Sequence, residues 1–234
     1  MLGAAWTVIN PLALIVVYTV IFSQVMQAKL PGANGSFAYS VYLCSGLLTW
    51  GLFAEIVTRA QTVFLENSNL LKKLSFPRIC LIIITVLNAL FNFSIIFGLF
   101  TVFLIISGNF PGLIFFALIP VLMVLILFSA GLGIILGVLN VFFRDVGQLF
   151  GIVLQFWFWF TPILYPVSVL PDFARSFQTF NPMAGITAAC HQILVYGKRP
   201  DWGTLSLIAF LAVLLCIFSW RLFRKRSGEM VDEL

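Results

Sequence analysis

Apolar positions along this chain fall in blocks too long for any soluble element, and polar positions appear as short clusters between them. Residues 6–26 form the first block, closed by the turn-forming PGANGS at 31–36, and residues 37–57 form the second. The polar stretch RAQTVFLENSNLLKKLSFPR then precedes a block, 79–143, that holds not one charged residue. A helix of about 20 apolar residues crosses a hydrocarbon core of about 30 Å, so that block is too long for a single crossing. SGNFPG at 107–112 supplies a break and divides it into crossings over 79–106 and 112–140. A fifth crossing is expected over 148–164 and a sixth over 202–220, which ends against the basic RLFRKR. The pattern therefore predicts an all-α integral membrane protein with six transmembrane helices. It forms a single transmembrane domain over 1–226, with a cytoplasmic tail over 227–234.

Two features qualify this picture. The segment at 162–200 has apolar stretches too short to span, broken by Pro162, Pro166, Pro171, Pro182 and Pro200. Irregular backbone at membrane depth is tolerated only where protein or a water-filled cavity surrounds it. Re-entrant periplasmic helices between spans 5 and 6, lining or capping a pathway, are the expected form. Within the fourth span, Ser129, Gly133 and Gly137 recur every four residues. Such a row lets helices approach closely, either inside one protomer or between two.

Composition agrees with the pattern. The chain is 62% apolar and 9% charged, with mean hydropathy +1.11, whereas a soluble domain carries roughly 25% charged residues. A net charge of +5 raises the question of nucleic acid, but its distribution answers otherwise. With six spans, Arg59, Lys72, Lys73, Arg78, Arg144, Arg221, Arg224, Lys225 and Arg226 share one side, and Lys29, Arg175, Lys198 and Arg199 the other. The basic side is cytoplasmic by the positive-inside rule, which puts both termini there. No basic region precedes the first apolar segment, so that segment is expected to stay as a span. Cys44, Cys80, Cys190 and Cys216 are far apart, without metal-ligand spacing, and read as small buried residues.

Little chemistry is visible. Phosphate-binding GxxxxGK[ST] does not occur, since the one Gly-Lys pair, Gly197-Lys198, runs into arginine and proline. His191 is the one histidine, which rules out a Ser/His/Asp set that lacks it. Glu55 stands four residues before Arg59, the spacing of a helix-surface ion pair, with a proton-relay carboxylate as the alternative. A transporter without its own energy source needs a partner on the cytoplasmic side, and two segments can receive one. In FLENSNLLKKLSF, Phe64, Leu65, Leu71 and Leu74 oppose Glu66, Lys72 and Lys73 on a short amphipathic helix. That helix either docks a partner or lies at the interface with snorkelling lysines. The second segment is RDVGQ. Arg144 and Asp145 point about 100° apart on a helix and make poor partners for each other. Asp145 suits the first turn of the fifth helix. Arg144 is left to meet another loop, a partner protein or lipid phosphate.

These residues resemble the permease subunit of ABC-2 type exporters, in the branch that exports O-antigen, capsule and teichoic acid polymers. The resemblance rests on WTVINPLALIVVYTVIFS, YLCSGLLTWGLF, NSNLLKKLSFPR, LNVFFRDVGQLF, FTPILYPVSVLP and FNPM, in that order along the chain. It implies a multi-pass protein of the bacterial inner membrane, a homodimer with a channel between protomers, and two copies of an ABC ATPase subunit. The substrate implied is a lipid-linked glycan. This chain would bind no cofactor, metal or nucleic acid and catalyse nothing, with ATP and Mg used by the partner. An ATPase-coupling loop is implied at Glu66, Asn67, Leu70, Lys72, Lys73, Phe76, Pro77 and Arg78, and a cytoplasmic hinge at Arg144 and Asp145. Candidate channel-lining aromatics are Phe156, Trp157, Trp159, Phe160 and Tyr165. The chain departs from the family pattern in three places. LGAAWTVINP opens directly where an amphipathic helix usually precedes the first span. Ile82 follows Leu81 where proline is usual, and His191 stands where an arginine is expected. An ABC-2 exporter of drugs or small lipids is the nearest alternative, and an ion-coupled transporter is a more distant one.

Overall fold

The apolar blocks fold as long helices because inside a bilayer each backbone amide must find a partner within its own segment. A computed structural model describes residues 13, 16–17, 37–73 and 78–233 of the 234. In chain order the helices are α1 (Ala38–Glu66), α2 (Ser68–Lys73), α3 (Ile79–Ile106), α4 (Leu118–Phe142) and α5 (Asp145–Phe160). They continue as α6 (Asp172–Gln178), α7 (Pro182–Leu194), α8 (Trp202–Arg226) and α9 (Glu229–Glu233). Short 3₁₀ turns cover Gly112–Ala117 and Val167–Val169, and no strand occurs among the described residues.

Among the described residues, four helical stretches are long and apolar enough to cross a membrane: Ala38–Glu66, Ile79–Ile106, Gly112–Phe142 and Trp202–Arg226. They coincide with the second, third, fourth and sixth expected crossings. The first, over 6–26, lies outside the described residues. The fifth starts three residues earlier and stops four residues earlier than the expected 148–164. Its helix, α5, has 16 residues and stops at Phe160, because Pro162 disfavours helical backbone at the residue before it. At about 1.5 Å per residue it is about 24 Å long, less than a full hydrocarbon core.

Burial differs sharply among the four. In the most apolar window of α1, 67% is buried, against 28% in α3 and 22% in α8. The outer helices show large apolar side chains, including Ile83, Leu87 and Phe91 on α3 and Leu207, Phe210 and Phe218 on α8. Faces of this kind require lipid or another apolar surface around them.

The break at SGNFPG has a local cause. Gly108 has φ +70, its N–H donates to Ile105 O (3.2 Å), and the Asn109 N–H donates to Leu104 O (3.0 Å). This pair of bonds caps the last turn of α3, and the positive φ it needs is open to glycine at no steric cost. Gly112, at φ +66, then starts the 3₁₀ turn.

The chain divides into two compact units, one of residues 1–51, 91–121 and 159–205, the other of 52–90, 122–158 and 206–234. In the first, α7 buries Met183, Ile186 and Ile193 and packs against the turn Gly112–Ala117. Phe37 meets Phe103 edge-on, with ring centroids 6.3 Å apart. In the second, Ala60, Phe64, Leu71, Leu81, Val138 and Phe223 belong to one buried cluster. The row of small residues acts here, within the protomer. A Cβ on Gly133 would lie 2.6 Å from Ala60 Cβ, and one on Gly137 would lie 2.6 Å from Ala60 O. Glycine at these two positions is what lets α4 touch α1.

A methyl group added at that contact forces two backbones apart. Gly137→Ala is expected to destabilise the protein by about 1–3 kcal/mol, the usual cost of overpacking. Gly151→Ala, with nothing within 4 Å of the new Cβ, is expected to be neutral or better. Thermal unfolding of the two variants in detergent checks the contrast.

Candidate functional site

The first unit holds an irregular stretch, 161–166, that leaves carbonyl groups without helical partners, and two tyrosines of α1 meet them. Tyr42 Oη lies 3.0 Å from Pro162 O and 2.9 Å from Tyr165 O, and its hydroxyl is shared between these acceptors. Tyr39 donates to Leu164 O at 2.7 Å. Buried backbone carbonyls must be satisfied somewhere, and here hydroxyls from more than a hundred residues away do so. Beyond this stretch, Asn181 caps α7 by accepting from Met183 N (3.1 Å), while its Nδ2 donates to Thr161 Oγ1 (3.1 Å). Tyr165 donates to Trp159 O at 2.6 Å, and Gln178 Nε2 to Phe160 O at 2.7 Å.

His191 completes the arrangement from α7. Its ring stacks on Tyr42, with centroids 3.7 Å apart and planes 23° apart. Nε2 is 3.0 Å from Tyr42 O. A carbonyl only accepts, so that nitrogen carries the proton. Gly46 makes room, since a Cβ there would come within 3.0 Å of Nε2 and 3.2 Å of Ile163 Cγ2. Burial pushes the imidazole down from 6.5 to about 3, so it is neutral at physiological pH. The departure from the expected arginine thus has a structural use: a flat, neutral donor fits where a long cation would be stranded.

The second unit holds the predicted coupling and hinge residues. Glu66 ends α1 and is exposed. Asn67 alone forms the corner into α2, with its N–H (3.2 Å) and its Nδ2 (2.8 Å) both donating to Val63 O. On α2, Leu70 is 37% exposed whereas Leu71 is buried. Lys72 and Lys73 close α2, Phe76 and Pro77 lie outside the described residues, and Arg78 is half-buried ahead of α3. Arg144 is exposed on the turn between α4 and α5. Asp145 is exposed as the first residue of α5, where a carboxylate favours the helix N-terminus. Glu55 and Arg59 form the expected i,i+4 ion pair, at 2.9 Å.

Sequence reasoning did not find the polar clasp that ties α1, α4 and α5. Asn140 Nδ2 donates to Gln61 O (3.0 Å), Gly147 N donates to Asn140 Oδ1 (3.1 Å), and Gln61 Nε2 donates to Gly147 O (3.0 Å). A Cβ on Gly147 would sit 3.0 Å from both side-chain amides. The buried Gln61 Oε1 has no hydrogen-bond partner among the described residues, so the clasp is not fully satisfied. Asn140, an amide within the charge-free block, was the available signal.

The aromatic run on α5 is sorted by helical direction. Phe156, Trp159 and Phe160 are exposed and continue a stripe through Leu149, Ile152 and Val153. Trp157 turns the other way and is half-buried, edge-on to Phe53 (5.2 Å) and Phe128 (6.3 Å). Tyr165 is half-buried.

Residues 1–195 match the family described as ABC-2 type transporter. The chain is 30% identical over 235 residues to the O-antigen export system permease protein RfbA of Klebsiella pneumoniae, covering 100% of this chain and 88% of the relative. An O-antigen export system permease protein RfbA of Myxococcus xanthus is 29% identical over 235 residues, with 100% and 88% covered. The polysialic acid transport protein KpsM of Escherichia coli is 21% identical over 231 residues, with 98% and 88% covered.

The buried histidine generates a pH dependence. Between pH 6.5 and about 3 the folded protein holds fewer protons at His191 than the unfolded chain, so stability falls as pH falls through that window. The expected slope is at most about 1.4 kcal/mol per pH unit. His191→Phe, which keeps a stacking ring, is expected to remove this part of the acid sensitivity in thermal unfolding at neutral and acid pH.

Proposed function

The chain belongs to the ABC-2 type transporter family, and from that premise we propose that it is the membrane-spanning permease of an ATP-driven polysaccharide exporter. Its substrate is a lipid-linked polysaccharide of O-antigen, capsule or teichoic acid type, moved outward across a bacterial inner membrane. The observation that carries this reading is the alignment along the whole chain with permeases named for O-antigen export. The four apolar helices supply the membrane character that such a subunit requires.

Two copies of the chain pair around a channel, and each meets one ABC ATPase subunit, which uses ATP and Mg. The fold in the membrane has six spans and cytoplasmic termini. α5 with the stretch after it makes the fifth, and α6 and α7 dip in from the periplasmic side. The exposed stripe of α5 faces the pathway or the second copy. Phe156, Trp159 and Phe160 there offer flat faces on which sugar rings stack without demanding one sugar sequence.

The coupling route follows from connectivity. Force applied to α2 passes through the single-residue corner at Asn67 into α1, with no slack segment between them. Two turns back along α1, Gln61 meets Asn140 and Gly147, at the start of the helix that bears the aromatic stripe. An incompletely satisfied clasp is easier to rearrange than a closed network, because a buried acceptor is already unmet. Arg144, exposed on the turn beside Asp145, is positioned to meet the ATPase or a lipid phosphate.

Reconstitution with the partner ATPase in proteoliposomes is expected to give ATP-dependent glycan movement, and deletion of the gene is expected to remove a surface polysaccharide. An unchanged surface polysaccharide would contradict the substrate assignment. Arg144→Ala is expected to lower export more than it lowers membrane abundance, compared by quantitative blotting. Equal losses would reduce Arg144 to a topology anchor.

A further inference from the structure

The sequence reads 227–234 as a tail, but one residue within it is buried. Met230 has no exposed surface, and it shares a cluster with Phe64, Leu71, Leu81, Val141 and Phe223. α9 packs against α2. The turn that returns the chain is held by an ion pair between Arg226 and Glu229, and the Arg226 guanidinium stands 5.9 Å from the centroid of the Phe142 ring. Ser227 Oγ donates to Arg224 O at 3.2 Å. A five-residue helix has no stability of its own in water. Its order depends on these contacts, and among the described side chains of α9 Met230 enters the cluster.

We propose that α9 is a brace for α2, with Met230 as a positioning residue that fixes the angle at which α2 is presented to the ATPase. The proposal rests on reading α2 as the coupling segment. α2 is a six-residue helix behind a one-residue corner, also too short to hold itself. It is supported on its inner side by Leu71, and Met230 lies in the same cluster. Its outer side carries the exposed Asn69 and Leu70, which a protein partner can grip. Removing the brace leaves the grip in place but lets α2 yield, so ATPase movement is absorbed locally and does not turn α1. The expected defect is therefore in coupling, with binding of the ATPase less affected.

The test uses the full chain with its ATPase, as Met230→Asp and Met230→Leu. In membranes without the ATPase, limited trypsin digestion reads the ordering of α2 at Lys72 and Lys73. Met230→Asp is expected to speed cleavage there while Met230→Leu does not, and equal rates in all three proteins overturn the brace. In proteoliposomes, Met230→Asp is expected to lower glycan export per assembled complex by about fivefold or more, the lower end of typical coupling between sites. Met230→Leu is expected to restore it. Unchanged export per complex in Met230→Asp, or a loss accounted for wholly by reduced abundance, overturns the coupling role. Failure of the unaltered chain to retain an ATPase or to export contradicts the permease reading instead, and the trypsin arm still decides whether α9 braces α2.

Discussion

The second unit depends on the approach of α4 to Ala60 of α1. Gly133 and Gly137 leave the two backbones free to touch, and any side chain there would collide with Ala60. Lipid tails are as apolar as the helix surfaces they surround, so burial alone gives two apolar helices little reason to pair. Close packing and hydrogen bonds must supply the attraction. Both lie within two consecutive residues of α1. Ala60 gives the contact, and Gln61 gives the carbonyl and amide that bind Asn140 and Gly147. The small residues set the distance at which the amides reach.

The first unit solves a different problem with the same chemistry. Pro162 and Pro166 keep the stretch after α5 from forming a helix, and its carbonyl groups are left over. Tyr39 and Tyr42 satisfy three of them without adding charge, and His191 stays neutral as it stacks and donates. Neutral donors suit this place, because an ion deprived of water there would be costly. Both units thus use short polar contacts between distant residues to fix elements that apolar packing alone would leave free to slide.

How much of this the sequence discloses depends on how local the cause is. The charge-free run that became α3 and α4 is legible from composition, and its break is legible from SGNFPG, because Gly108 acts on its own backbone. The ion pair of Glu55 and Arg59 follows from helical spacing alone. The early stop of α5 at Phe160 was missed although its cause, Pro162, lies two residues on, because the apolar pattern continues to Leu164. Nothing local marks Tyr42 as the partner of Pro162, or Gln61 as the partner of Gly147. Those pairings exist only once the helices stand side by side. Met230 is hidden for the same reason, as an apolar residue in a short acidic tail says nothing of the cluster that receives it. Of the aromatic run, the sequence gives membership, and helical phase then separates Trp157 from Phe156, Trp159 and Phe160.

The central claim is that the amides of Gln61 and Asn140 act as one device that ties α1, α4 and α5. A double-mutant cycle tests it most directly, using Gln61→Leu, Asn140→Leu and the pair, with unfolding free energies measured in the same detergent. If the two side chains are one device, the double variant loses less than the sum of the single losses, by about 0.5–3 kcal/mol. Strictly additive losses would contradict the account, and would make the two amides independent contacts.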